Sequence, residues 1–220
     1  MPDAAPLLDL AVPPAERAAL DELCARDAAL AGIERLAGPL PWRRRPKGFA
    51  GLLAAIVGQQ ISNAAAAAIW SRLAALAPPA PDAERLLRLP EAALRGAGLS
   101  RAKIAYARAL AEAVASGRFD PESLERMGDD EAIAKLTALP GFGRWTAEIY
   151  LLFALQRRDV FPAADLALAA SAARLKGLAA RPAEPALRAL ALAWAPARGL
   201  AARLLWHHWR FVTSRPAFDP

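Results

Sequence analysis

The segment LTALPGFGRWTAEIYLLFALQRRDVFPAAD, residues 136–165, constrains this chain more than any other. Two apolar helical stretches flank Leu139-Pro140-Gly141-Phe142-Gly143, which reads as a hairpin turn. Pro140 fixes φ and turns the chain, while Gly141 and Gly143 can take positive φ. Neither glycine has a Cβ to hold another backbone at a distance, and Leu139 and Phe142 would plug the gap between the helices. The N–H groups of Gly141, Gly143 and Arg144 open the next helix, where unpaired donors and the helix dipole favour an anion such as a phosphate. The carbonyls of Leu139 and Gly141 are candidates to hold a monovalent cation, Na+ or K+, that helps neutralise it. A tight helix–helix turn with no ligand is the alternative.

The remainder of the chain carries helical periodicity with few β-branched residues, which gives roughly ten helices and no strand, an all-α class. A first helix is expected from Pro14 to about Ala31. FAGLLAAIVG (49–58) is too uniformly apolar for a surface helix and reads as a buried centre. Ser62 or Asn63 caps the Ala-rich helix after it, Asp82 caps another, and an amphipathic helix covers Ser100 to Ser116. LRGAGLSRAKIAY (94–106) echoes the glycine-then-helix form of the hairpin. With 55% hydrophobic residues in 220, the chain can bury one core or two packed lobes. Its longest clean apolar run is far too short to span a bilayer, and its start lacks a basic n-region, so the expectation is a cytoplasmic protein without a membrane partner. The net charge of +6, nearly all from arginine, suits an anionic partner. Cys24 is the single cysteine, read as a small buried hydrophobe; it excludes an internal disulfide, a multi-cysteine zinc site and a four-cysteine iron–sulfur cluster.

Asp165 follows VFPAA and precedes LALAASAARL, the place of a helix N-cap. A capping aspartate has a fixed orientation, and a helix N-terminus favours the ionised carboxylate. Such a group can stabilise developing positive charge or orient water. Asp159 reads as a cap or as a partner of Arg157 or Arg158.

LPGFGRWTA with an aspartate twenty residues past its tryptophan resembles the signature of the helix–hairpin–helix DNA glycosylases. AAIVGQQIS (54–62), GLSRAKIAYARALAEAV (98–114) and WAPARGLAARLLWHHW (194–209) resemble segments of the alkyl-purine branch, typified by bacterial DNA-3-methyladenine glycosylase II. The resemblance implies two helical lobes with a DNA-binding cleft between them. Residues 50–158 would form a central lobe ending in the helix–hairpin–helix at 130–156, and 1–49 with 159–220 the other, in a short form without an N-terminal α/β domain. It implies a monomer that acts on damaged double-stranded DNA, associates with the nucleoid when bound, and uses Asp165 beside C1′ as the catalytic carboxylate. Members that also cut the strand carry a lysine where this chain has Trp145, so water is the expected nucleophile, with no lyase step and no cofactor.

By the same resemblance Trp145 and Trp194 line the base pocket, where a cationic alkylated purine would gain ~0.5–2 kcal/mol from an aromatic face. Core packing is the alternative for each. Ile149 shares the face of Trp145 and stands where relatives often place a tyrosine. Gln60, and less directly Gln59, is the candidate to enter the gap left by the flipped base; a helix C-cap pair is the alternative. Arg198 either meets a phosphate or is ion-paired. His207 and His208 are adjacent on a helix and poorly placed to share a metal. Arg43, Arg44, Arg45 and Lys47 form a basic loop, solvated or touching phosphate. The expected function is excision of alkylated purines such as 3-methyladenine or 7-methylguanine. The alternatives are a related glycosylase for mismatched, deaminated or oxidised bases, and a non-catalytic binder of DNA structure.

Overall fold

The computed structural model describes residues 11–214. Among these it has thirteen α-helices and no strand: α1 (Pro14–Arg26), α2 (Ala28–Ala31), α3 (Ile33–Ala37), α4 (Gly48–Gly58), α5 (Asn63–Leu76), α6 (Ala83–Arg88), α7 (Glu91–Ala97), α8 (Arg101–Ala115), α9 (Asp129–Thr137), α10 (Arg144–Phe153), α11 (Leu166–Lys176), α12 (Glu184–Ala191) and α13 (Arg198–Thr213). Pro121–Arg126 and Leu192–Trp194 form 3₁₀ turns. No helix among the described residues is long and apolar enough to cross a membrane. Internal contacts divide the chain into two compact units. One is Arg44–Tyr150; the other, within the described residues, comprises 11–43 and 151–214. The family resemblance implies boundaries near 50 and 158. In the structure they fall at 43/44 and 150/151, the second inside α10.

In the Arg44–Tyr150 unit, α4 is the buried centre that its composition requires, with Leu52, Leu53 and Ile56 wholly enclosed. It packs on α5 and α8, while α6 lies on α8 and α7 on α5. Leu53, Val57, Leu73, Leu86, Leu94, Ile104 and Ala107 meet in one cluster. Each fully buried Leu or Ile there contributes about 1.5–3 kcal/mol. The helix starts are set by side chains: Ser62 Oγ accepts the Ala65 N–H, Asp82 Oδ1 that of Arg85, and Ser100 Oγ that of Lys103. Each such cap stabilises its helix by about 1 kcal/mol.

The other unit is organised around α13, whose residues from Gly199 to Trp206 are all buried. α13 packs on α11, α3, α2 and α1. Its entry needs Gly199: the N–H of this residue donates to the Arg158 carbonyl at 2.8 Å, and a Cβ would lie 2.7 Å from that oxygen. The expected first helix is broken in two at Asp27, which is extended (φ −134°, ψ 96°) and ends α1. Asp27 Oδ1 caps α2 by accepting from Ala29 and Leu30, and its Oδ2 accepts from Lys176 and from the Trp194 indole. Cys24 on α1 is half-buried rather than fully enclosed, and burial raises its thiol pKa.

Candidate functional site

The hairpin lies between α9 and α10 within the Arg44–Tyr150 unit. Gly141 has φ +86°, and a Cβ there would come within 2.4 Å of the Tyr106 ring on α8, so both backbone conformation and packing demand glycine. Gly143 differs from expectation. It does not adopt a positive φ, and a Cβ there would meet nothing within 4 Å. Its value is an open approach to the backbone, not an unusual conformation. The echo at 94–98 is therefore no geometric repeat, since there the last glycine, Gly98 (φ +106°), is the left-handed one. Phe142 is buried and Leu139 half-buried between the helices, while Pro140, Gly143 and Arg144 are exposed. Arg144 Nε donates to Oε1 of the buried Glu148 at 2.9 Å, which commits its charge within α10. What the turn presents to an anion is backbone N–H.

The two carbonyls assigned to a cation are already acceptors. Leu139 O takes the Phe142 N–H at 3.1 Å, and Gly141 O takes Gln59 Nε2 at 2.8 Å. Each oxygen thus accepts one hydrogen bond in these contacts, and a carbonyl oxygen carries two lone pairs. Among the described residues no group of three or more His, Cys, Asp or Glu could hold a metal.

Gln59 thus faces inward to the hairpin, whereas Gln60 is exposed with φ +57°. For a residue with a Cβ that conformation costs roughly 1–2 kcal/mol. Trp145, on the first turn of α10, is half-buried. Ile149 is only 2% exposed and belongs to the core, so it offers no face to a base. Tyr150 is equally buried; its hydroxyl accepts the Gly48 N–H at 3.0 Å, and burial pushes its pKa up to about 12.

In the second unit Asp165 caps α11. Its Oδ1 accepts the N–H groups of Ala167 (2.8 Å) and Leu168 (2.9 Å) and the indole N–H of Trp206 (3.2 Å). Three donors on one oxygen fix the plane of the carboxylate. Trp206, missed in the sequence reading, is held in turn against Phe153, with ring centroids 5.6 Å apart. The one available signal was its place at the end of the apolar run of α13. Trp194, by contrast, is 1% exposed, donates to Asp27 Oδ2 at 2.8 Å and packs on Phe161. It is a core residue that locks α2, and its assignment to a base pocket is corrected accordingly.

A pocket open to solvent is walled by Phe153, Trp206, Leu40 and Pro41, with Arg43, Arg203, His207 and Arg210 completing the lining. No carboxylate lines it. Arg203 is 5% exposed and lies between the rings of Trp42 and Phe153, with its charge centre 4.1 and 4.5 Å from their centroids. It donates to the carbonyls of Arg43 and Leu152. Asp159 pairs with Arg198 through both oxygens and caps α13 by accepting the Arg198 N–H, while Arg158 pairs with Glu16. The expected Asp159 partners are thus replaced, and Arg198 is ion-paired. Burial works against the Asp159 charge, but the Arg198 hydrogen bonds prevail and lower its pKa. His207 meets Gly38 O, and His208 shares a hydrogen bond with Ser171; both are structural. Lys47 pairs with Glu125 at 3.0 Å.

Residues 53–196 match the family described as HhH-GPD superfamily base excision DNA repair protein. DNA-3-methyladenine glycosylase 1 of Schizosaccharomyces pombe is 37% identical over 120 residues, 53% of this chain and 53% of its own length. The chain therefore spans about half of that curated relative. A DNA-3-methyladenine glycosidase structure from Bacillus halodurans superposes with TM-score 0.79 at 36% identity, covering 89% of this chain and 91% of its own. A 3-methyladenine DNA glycosylase structure from Schizosaccharomyces pombe, in complex with abasic DNA, superposes with TM-score 0.77 at 30% identity, covering 88% and 95%.

Proposed function

Because the chain belongs to the HhH-GPD superfamily of base excision DNA repair proteins, we propose that it is a monofunctional DNA glycosylase that hydrolyses the N-glycosidic bond of alkylated purines. The observation that carries the reading is the anchored carboxylate of Asp165, its Oδ1 held by two helix N–H groups and the Trp206 indole. Departure of the base leaves positive charge on the sugar, in an oxocarbenium-like state. A carboxylate with a fixed plane stabilises that charge without reorganising and can orient the attacking water. Trp145, and no lysine, follows Arg144, so no side-chain amine is supplied there for a Schiff base. The product is an abasic site. Grip on the duplex rests on the N–H groups around Gly143, with Gln60 filling the place of the extruded base. Extrusion costs a few kcal/mol and least for a damaged base. Trp145 supplies an aromatic face to that base. The 3-methyladenine glycosylases named above are consistent with alkylated purines as substrates. The cationic lining beside Trp206 favours a second reading, in which neutral lesions are preferred over positively charged ones.

The test is release of free base from methylated duplex DNA, with products identified by mass, for the wild type and Asp165→Asn. Release of 3-methyladenine or 7-methylguanine, slowed by about 10²–10³-fold in the variant, is expected. Release of only neutral bases would establish the second reading. Duplex binding with no release of any base would overturn both in favour of a non-catalytic DNA binder.

A further inference from the structure

The two segments to which DNA contact is assigned are 82 residues apart in sequence, yet a single side chain joins them. We propose that Gln59 is a positioning residue: its amide, donated to the Gly141 carbonyl, latches the turn that carries Gln60 onto the phosphate-gripping hairpin, so that the grip sets where Gln60 enters the duplex. The inference rests on the glycosylase reading above and adds to it a means of coupling grip to insertion.

The geometry is built from three restraints within one unit. α4 ends at Gly58, and Gln59 (φ −57°, ψ 130°) turns the chain out of the helix. Gln60 then adopts φ +57°, a conformation seldom taken by residues with a Cβ, so the turn keeps its shape only while its neighbours hold it. The first holder is the half-buried Gln59 Nε2 to Gly141 O hydrogen bond of 2.8 Å. The second is Lys103 Nζ, which donates to Val57 O at 2.7 Å and fixes the last turn of α4. The third is on the hairpin side: Gly141 is pressed against Tyr106, leaving no space for even a Cβ. Lys103 and Tyr106 are three residues apart on α8 and so share a face. α8 therefore backs both the turn and the hairpin, and Gln59 closes the triangle. Gln60 is left exposed at its tip.

This arrangement separates two properties. Phosphate contact depends on the hairpin backbone and survives loss of the latch. Recognition of a missing base depends on the direction of Gln60 and does not. The experiment compares affinity for a duplex containing a tetrahydrofuran abasic analogue with affinity for the same duplex undamaged. It uses the full chain as wild type, Gln59→Met, Gln60→Ala and the double variant, each checked for folding by thermal melting. Methionine keeps the approximate volume of glutamine and removes the donor. Gln59→Met is expected to bind undamaged duplex with unchanged affinity and salt dependence, and to lose roughly five- to tenfold in preference for the abasic duplex. In the Gln60→Ala background the same change is expected to cost nothing further. Gln59→Asn, which keeps an amide one methylene shorter, guards against a misfolded methionine variant and is expected to lose the preference as well. An unchanged preference in folded Gln59→Met or Gln59→Asn overturns the latch. So does an equal loss with and without Gln60, which makes Gln59 a simple prop. A wild type with no preference for the abasic duplex overturns the insertion reading itself and the latch with it.

Discussion

The Arg44–Tyr150 unit and the unit built around α13 solve different problems with different materials. The first is held by an apolar cluster, and at Gly143 its backbone has open space where a side chain would stand. The second is threaded with enclosed polar side chains. Of the buried polar or charged residues, Arg43, Asp165, Ser171, Arg203 and His208 belong to it, against Thr146 and Glu148 in the first. Buried polar groups are costly unless satisfied, so each must be aimed by another. Gripping a repetitive phosphate backbone needs only N–H groups in a rigid turn, whereas holding one carboxylate needs a network around it.

The largest break in this contrast should come from the hairpin. Gly141→Ala puts a Cβ 2.4 Å from the Tyr106 ring at φ +86°. It is expected to destabilise by about 2–4 kcal/mol, read by chemical denaturation, because overpacking and left-handed strain add. Tyr106→Ala in the same chain should recover part of that loss by removing the clash. A fully tolerated Gly141→Ala would show that the turn yields easily and that its rigidity is not what α8 supplies.

Next in size is the network of the other unit. Trp206→Phe keeps a ring against Phe153 and removes the donor to Asp165 Oδ1. Base release in single turnover should slow by roughly tenfold, the worth of one hydrogen bond to a charged group. Duplex affinity should not move.

The smallest effect is on pH. Asp27 and Asp159 are opposed by burial but lowered overall, by Lys176 and Trp194 in one case and Arg198 in the other; the Arg17 hydrogen bond lowers Glu34, and burial lowers His208. All four lie in the second unit. A group with a depressed folded pKa contributes stability that is complete above its unfolded value and is lost as pH falls through its folded value. For the carboxylates that window lies below about 4, and for His208 it opens below about 6.5. Tyr150, raised to about 12, has the opposite sign: its contribution is present below its ordinary value and is lost as pH rises through about 12. Hydrogen exchange, corrected for intrinsic rates, should therefore show acid loosening peptides of 151–214 before those of 44–150.

The same contrast decides how much was legible in the sequence. The hairpin is local, so Pro140 and Gly141 announce it within five residues, and the Asp165 cap is equally local. Trp206 meets Asp165 across 41 residues, and nothing in either segment names the other. The partner of Trp194 is equally remote, since its indole donates to Asp27, 167 residues earlier. Asp27 itself breaks the first helix because two distant donors hold the oxygen that does not cap, a reward invisible to periodicity. Asp159 found Arg198 rather than its neighbours because the start of α13 docks there, close enough to require Gly199.

If the proposed function holds, grip and chemistry reside in separable parts of the chain. The direct measurement sets Gly143→Arg beside Asp165→Asn, scoring duplex affinity and single-turnover base release at saturating protein for each. Gly143 has open space for a side chain, so the fold should persist while the arginine bars close approach to the backbone. A crossed result is expected: roughly tenfold weaker binding with near-normal release at saturation for Gly143→Arg, and normal binding with release reduced by about 10²–10³-fold for Asp165→Asn. If both folded variants lost binding and release together, or Asp165→Asn released base at the wild-type rate, the division of labour argued for these two units would be contradicted.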